Sequence, residues 1–162
     1  MKSQERKIRI ALPSKGLLAD GSMELLSNVG FPIYKPNPRQ YIASIPQLPG
    51  IEVIFQRPGD IVIGVRDGSV DFGITGSDIY LEKKGTNGSI LPLNNHLGYG
   101  KCTLNVIVPD SWESVNSLDD LKEYQVSLGR PLKVATKFPN LAGDFFNNST
   151  SIPIELIKAE GT

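Results

Sequence analysis

Runs of strand periodicity alternate with helical segments from Lys7 to Leu81, and this order constrains the fold more than any other feature of the chain. Lys7–Leu12 places Ile8, Ile10 and Leu12 at every second position, as a half-buried strand requires. Pro13-Ser14-Lys15-Gly16 then turns the chain. From about Asp20 the apolar residues Met23, Leu26 and Val29 recur at helical spacing, up to a stop at Gly30. Pro32, Pro36 and Pro38 break regular structure before Gln40–Ile45, where Tyr41, Ala43 and Ile45 alternate as a second strand. Pro49-Gly50 leads into the compact apolar strand Ile51–Phe55. A short helix is expected from Asp60, as its cap, to Asp67, ended by Gly68. Val70–Ile74 reads as a further strand, and Thr75-Gly76-Ser77-Asp78 opens a helical turn through Leu81. The order predicts an α/β sheet with helices on its faces.

Lys83–Ser89 is a polar loop, and Ile90–Leu93 is expected to be a strand. Leu97-Gly98-Tyr99-Gly100 reads as a crossing point, after which Leu104, Val106 and Val108 mark a strand over Thr103–Val108. Ser117 precedes a helix with an acid, Asp120, three residues on, which resembles a capping box. A strand over Leu132–Ala135, a helix capped by Asn140 and a strand over Pro153–Ile157 complete the series. The break near residue 95 predicts two lobes, 1–95 and 96–162, joined by a hinge. A domain of about 60 residues buries only about 60% of its unfolded surface, so the second lobe is expected to need the first, a partner subunit or further chain.

Lys plus Arg and Asp plus Glu both number 17, and a net charge of zero argues against nucleic acid or an anionic membrane as partner. No run approaches the roughly 20 apolar residues of a spanning helix. The charged opening Met1–Lys7 is followed by no apolar signal region, which predicts a cytoplasmic protein. Cys102 has no second cysteine to pair with, and with His96 the lone histidine it makes a zinc site of ordinary spacing implausible. Cys102 is expected to be a buried small apolar group, and Trp112, Phe145 and Phe146 to serve packing. No Ser/His/Asp or paired-carboxylate arrangement is evident, so any chemistry should rest on positioning and electrostatics.

Three loops fall where α/β folds place ligands, beyond the C-terminal ends of strands. Lys15 can reach a phosphate while Gly16 lets the backbone come close, or the pair is a plain turn with a solvated lysine. In Arg57-Pro58-Gly59-Asp60 an arginine meets a helix N-terminus, a combination suited to an anion; alternatively Asp60 is only a cap and Arg57 its surface partner. Gly73, Thr75, Gly76, Ser77 and Asp78 can form a backbone nest for phosphate or ribose, or a tight strand-to-helix turn. Lys101 follows the crossing point and adds a cation there.

Together these segments resemble one family. Ile10-Ala11-Leu12-Pro13-Ser14-Lys15-Gly16, Arg57-Pro58-Gly59-Asp60-Ile61, Asp71-Phe72-Gly73-Ile74-Thr75-Gly76-Ser77-Asp78, Leu97-Gly98-Tyr99-Gly100-Lys101-Cys102 and Val134-Ala135-Thr136-Lys137-Phe138-Pro139-Asn140-Leu141 are similar, in order, to motifs of the ATP phosphoribosyltransferases. The resemblance implies a two-lobed fold like the type II periplasmic binding proteins, with the second lobe incomplete. It implies transfer of phosphoribosyl from phosphoribosyl pyrophosphate to N1 of ATP, the first step of histidine biosynthesis, with Mg²⁺ on the phosphates. Lys15, Gly16, Arg57, Asp60 and the Gly73–Asp78 turn would line the nucleotide side, with Lys101 adding charge. It further implies a homo-oligomer and room for a regulatory subunit. Where the family carries an arginine after its Lys-Gly or Ser-Gly pair, this chain has Leu17. The family continues past a stretch like Glu160-Gly161-Thr162 into a Thr-Gly-x-Thr loop that holds the sugar phosphate, so this chain alone is expected to be inactive. The alternative function is a non-catalytic binding domain of the same fold for a small anion or nucleotide.

Overall fold

The computed structural model describes residues 7–86 and 88–159. Expectations for Met1–Arg6, Asn87 and Glu160–Thr162 lie outside the described residues. The chain forms two compact units, Met1–Lys101 and Cys102–Thr162, so residues 96–101 belong to the first.

The first unit is built on a four-stranded sheet in the order β2-β3-β1-β4. Its strands are β1 (Ile8–Pro13), β2 (Ile42–Ser44), β3 (Ile51–Gln56) and β4 (Phe72–Gly73). β1 pairs parallel with β3 from Ile8↔Ile51 to Pro13↔Gln56, and parallel with β4 at Ile10↔Phe72 and Ala11↔Gly73. β2 runs antiparallel to β3 on its far side. The period of two sorts β1 onto two faces. Ile10 and Leu12 join Ala43, Ile45, Val53 and Phe55 in one core, against which Leu26 of α1 (Leu17–Asn28) packs. Ala11 faces the other way, onto Ile61 of α2 (Pro58–Arg66) and Val70. The third helix, α3, spans Ser77–Lys83.

Several boundaries depart from the sequence expectation, each for a local reason. α1 starts at Leu17, not near Asp20, because Gly16 at φ 79° turns the chain and its carbonyl accepts from Ala19 and Asp20 N–H at 2.8 and 3.2 Å. α2 starts at Pro58, whose fixed φ and missing N–H suit a first turn, so Asp60 sits inside that turn and caps nothing. β2 is shorter than Gln40–Ile45 because Asn37 closes a turn on Arg39 and Gln40; Tyr41 is left 71% exposed. Neither Ile90–Leu93 nor Thr103–Val108 forms a strand. Alternation alone makes no ladder; without a paired neighbour among the described residues, Leu93 and Ile107 stand 87% and 89% exposed. Cys102 is exposed, not buried.

The second unit holds α4 (Leu118–Leu128), α5 (Pro139–Asp144) and a π-helical turn, Phe145–Thr150. β5 (Leu132–Thr136) pairs parallel with β6 (Ile154–Lys158) in register from Leu132↔Ile154. Leu121, Leu132, Phe146 and Ile152 make its core. Trp112 packs on Tyr124 with ring centroids 4.2 Å apart and Phe146 is buried, as expected of packing; Phe145 reaches the surface while making a T-shaped contact with Phe146. Pro139 again takes the first helical position, so Asn140 lies within α5 and Phe138 precedes it. Ser117 caps α4 as its sequence promised: its Oγ accepts from Asp120 N–H at 3.1 Å. The reciprocal bond goes one residue further back than in a capping box, from Asn116 N–H to the Asp120 carboxylate at 2.9 Å.

A Cβ on Gly73 would lie 2.5 Å from Ile61 Cγ2 and 2.9 Å from the Ala11 carbonyl oxygen. Gly73→Ala should therefore cost about 1–3 kcal/mol in urea unfolding. In the second unit, the Asn116 N–H, followed by the Ser117 hydroxyl, holds the Asp120 carboxyl below the usual carboxylate range. A depressed folded-state pKa adds stability above the unfolded value and loses it as pH falls through the folded one. Circular dichroism of Asp120→Asn should show a smaller loss of stability on acidification than the parent chain, and equal slopes would refute the assignment.

Candidate nucleotide-binding edge

Because β1, β3 and β4 are parallel, the turns that follow them share one edge of the sheet. Direct bonds lace these turns together. Ser14 N–H donates to the Gln56 carbonyl at 2.9 Å, and Ile74 N–H to the Ala11 carbonyl at 3.0 Å. The Thr75 hydroxyl donates to the Pro58 carbonyl at 3.2 Å, tying the β4 turn to the first turn of α2. Leu18 Cδ1 lies 3.8 Å from the position a Cβ would take on Gly76, so the first turn of α1 adjoins the β4 turn.

Gly16, Arg57 and Gly76 occupy the N-cap positions of α1, α2 and α3, and none makes a side-chain cap bond. Helix starts of this kind carry free N–H groups and a partial positive charge. Gly16 has nothing within 4 Å of a would-be Cβ, and its φ of 79° is a conformation that glycine adopts without strain. Lys15 and Arg57 are exposed beside these starts, and so is Asp60. The third turn is less open. The Asp78 carboxylate folds back onto the Gly76 α-carbon and brings its own negative charge there. Gly73, Thr75, Gly76 and Asp78 are half-buried, while Ser77 and Lys101 are exposed.

Two features of this edge escape a reading of the sequence. Lys83 lies across the first turn of α2, with Cε 2.9 Å and Nζ 3.6 Å from the Cβ position of Gly59. That sets a cation against the first turn of α2, where the sequence showed only the start of a polar loop. No spacing rule links residue 83 to residue 59; α3 returning along α2 does. The second is Gln56 at the end of β3, whose Oε1 is buried without a hydrogen-bond partner. Such an acceptor costs about 1–3 kcal/mol if left unpaired.

The first unit also contains a largely apolar cavity of about 520 Å³ between α2, β4, α3 and residues 89–97. Gly73, Thr75 and Ser77 line it, but Lys15, Gly16, Arg57, Asp60, Gly76, Asp78 and Lys101 do not. Lys15, Arg57 and Asp60 thus sit at the strand ends, outside this cavity, whose one charged lining residue is Asp71. Among the described residues no cluster of three or more His, Cys, Asp or Glu could hold a metal ion. No described helix is long and apolar enough to cross a membrane.

Residues 57–162 match the family profile HisG, ATP phosphoribosyltransferase. ATP phosphoribosyltransferase 1, chloroplastic, of Arabidopsis thaliana is 38% identical over 158 residues, which make up 96% of this chain and 38% of that protein. The ATP phosphoribosyltransferase of Chelativorans sp. is 36% identical over 152 residues, 91% of this chain and 66% of that one. Among solved structures, the ATP phosphoribosyl transferase (HisG:HisZ) complex from Thermotoga maritima matches with a TM-score of 0.55 over 96% of this chain and 65% of that one. At 20% identity this last likeness speaks for the fold alone. The chain spans between 38% and 66% of the length of these relatives. With the family profile matched over residues 57–162, the chain belongs to the HisG, ATP phosphoribosyltransferase, family.

Proposed function

We propose that this chain supplies the nucleotide side of an ATP phosphoribosyltransferase, the enzyme of the first step of histidine biosynthesis. The observation that carries the reading is a row of helix starts without side-chain caps along one sheet edge, with Lys15, Arg57 and Lys83 beside them, in a chain of this family. In the reaction, N1 of the ATP adenine forms a bond to C1 of phosphoribosyl pyrophosphate as the bond from C1 to the pyrophosphate oxygen breaks. The transition state has oxocarbenium character, so a fixed nucleophile and a stabilised leaving group suffice, without a covalent enzyme intermediate. Lys15, Gly16, Arg57, Asp60 and the Gly73–Asp78 turn would hold the nucleotide, and Lys101 would add charge. Mg²⁺ would neutralise substrate phosphates. As a hard cation, it would be held by the substrate phosphates, waters and one or two carboxylates.

The same reading takes the fold to be the two-lobed type II periplasmic-binding-protein kind and the setting to be cytoplasmic. It takes the active assembly to be a homo-oligomer with room for a regulatory subunit; the Thermotoga maritima neighbour is itself a complex, HisG:HisZ. A second reading, a nucleotide-binding domain without turnover, draws on Leu17. This residue is 80% exposed at the place where the family arginine would meet the ligand. Losing a charge-assisted contact costs about 1.5–3 kcal/mol, or roughly 10- to 150-fold in affinity.

The deciding experiment supplies ATP, phosphoribosyl pyrophosphate and Mg²⁺ to the 162-residue chain and to the full product of its gene. Mass spectrometry should find N1-ribosylated ATP and pyrophosphate with the full product; none from either protein would leave only the binding reading. Calorimetric titration with ATP should show Arg57→Ala weakened by roughly 10- to 150-fold and Lys83→Ala by about tenfold or less. Both losses should shrink as salt is raised. Unchanged affinity in Arg57→Ala would remove this edge as the nucleotide site.

A further inference from the structure

α1 carries a glycine in its interior and, beside it, a hydroxyl with no exposed surface, Gly21 and Ser22. One neighbour accounts for both. The ring of Tyr99 lies where a Cβ on Gly21 would stand, with Cγ and Cε2 only 2.6 and 2.8 Å from that position. Ser22 donates its hydroxyl proton to the Leu18 carbonyl at 2.6 Å. With that proton used, its oxygen accepts from the Tyr99 hydroxyl at 3.0 Å. The backbone on either side of Tyr99 is left-handed, at Gly98 (φ 90°) and Gly100 (φ 67°), a conformation that glycine adopts freely and that turns the ring onto α1. Gly100 rests against Leu18, whose Cδ2 is 2.5 Å from its Cβ position, while Cδ1 of the same leucine faces Gly76. The first turns of α1 are thus held between the β4 turn and residues 98–100.

We propose that Tyr99 is a positioning residue for the anion site: by clamping Gly98–Gly100 onto α1, it fixes the reach of Lys101 toward the first turn of that helix. Two glycines ahead of a long cationic side chain would otherwise leave that cation to be ordered when ligand binds, at an entropic cost. The clamp orders the backbone beforehand. This inference rests on the nucleotide-site reading, since Lys101 needs an anionic ligand to act on.

The test is made in the full active enzyme, with Tyr99→Phe, Tyr99→Ala, Lys101→Ala and the double variant. Tyr99→Ala should raise the KM for ATP about tenfold, and Tyr99→Phe, which keeps the ring, about fivefold or less, with kcat changed less than about twofold. In the Lys101→Ala background, Tyr99→Ala should have no further effect on KM, because it acts through that lysine. Gly21→Ala should mimic Tyr99→Ala alone and be silent once the ring is gone. Independent, multiplying effects of the 99 and 101 substitutions would overturn the proposal while leaving the enzyme assignment intact. A second readout does not depend on activity: hydrogen exchange at the Gly98–Lys101 amides should accelerate in Tyr99→Phe. Unaltered exchange would overturn the clamp even in a protein that turns over nothing, an outcome that would itself count against the transferase reading.

Discussion

Because β1 bonds to β3 on one side and β4 on the other, all in parallel, their C-terminal turns are delivered to one edge without any further instruction. The energetic basis is the burial of Ile10, Ala11, Leu12 and Val53, each 5% exposed or less, with alternate side chains feeding cores on opposite faces. A register slip by one residue would exchange those faces and set Ile10 and Leu12 against the wrong helix. It would also displace the Ser14 and Ile74 N–H groups from their carbonyl partners. The geometry of the candidate site is therefore a by-product of sheet packing, and the loops need only supply charge and room.

Charge is supplied locally. The chain is neutral as a whole, yet Lys15, Arg57 and Lys83 gather beside helix starts that lack side-chain caps. Asp20, Asp60 and Asp78 lie in the first turns of the same helices and temper that field. In the proposed nucleotide-binding role, a balanced edge of this kind would suit a ligand that brings phosphates together with a hydrogen-bonding base or sugar better than a bare polyanion. The cavity beyond β4, being mostly apolar and away from the cations, belongs to a different part of the physics.

Much of this was legible in the residues. The cores of β1, β3, β5 and β6, the body of α2 and the Ser117 cap follow from periodicity and capping chemistry, which act over a few positions. The misses have separate physical causes. Asp60 and Asn140 look like caps, but Pro58 and Pro139 preset the helical φ nearer the start and moved each boundary back. Gly16 starts α1 through backbone shape, with no polar side chain to announce it. Alternation over Ile90–Leu93 and Thr103–Val108 marked residues able to join a sheet, but membership also requires a neighbour to bond. Lys83 on Gly59 and Tyr99 on Gly21 are matters of tertiary approach that no local pattern encodes.

The contact between Gly21 and Tyr99 also limits how such a chain can drift. With no atom to spare between the helix backbone and the ring, neither position is free to change by itself. A lineage that gains a methyl at 21, improving its helix, must first or simultaneously shrink the aromatic at 99; one that loses the aromatic is released to fill the gap. The two sites should evolve as a pair, separated in sequence yet bound to a single history by shape.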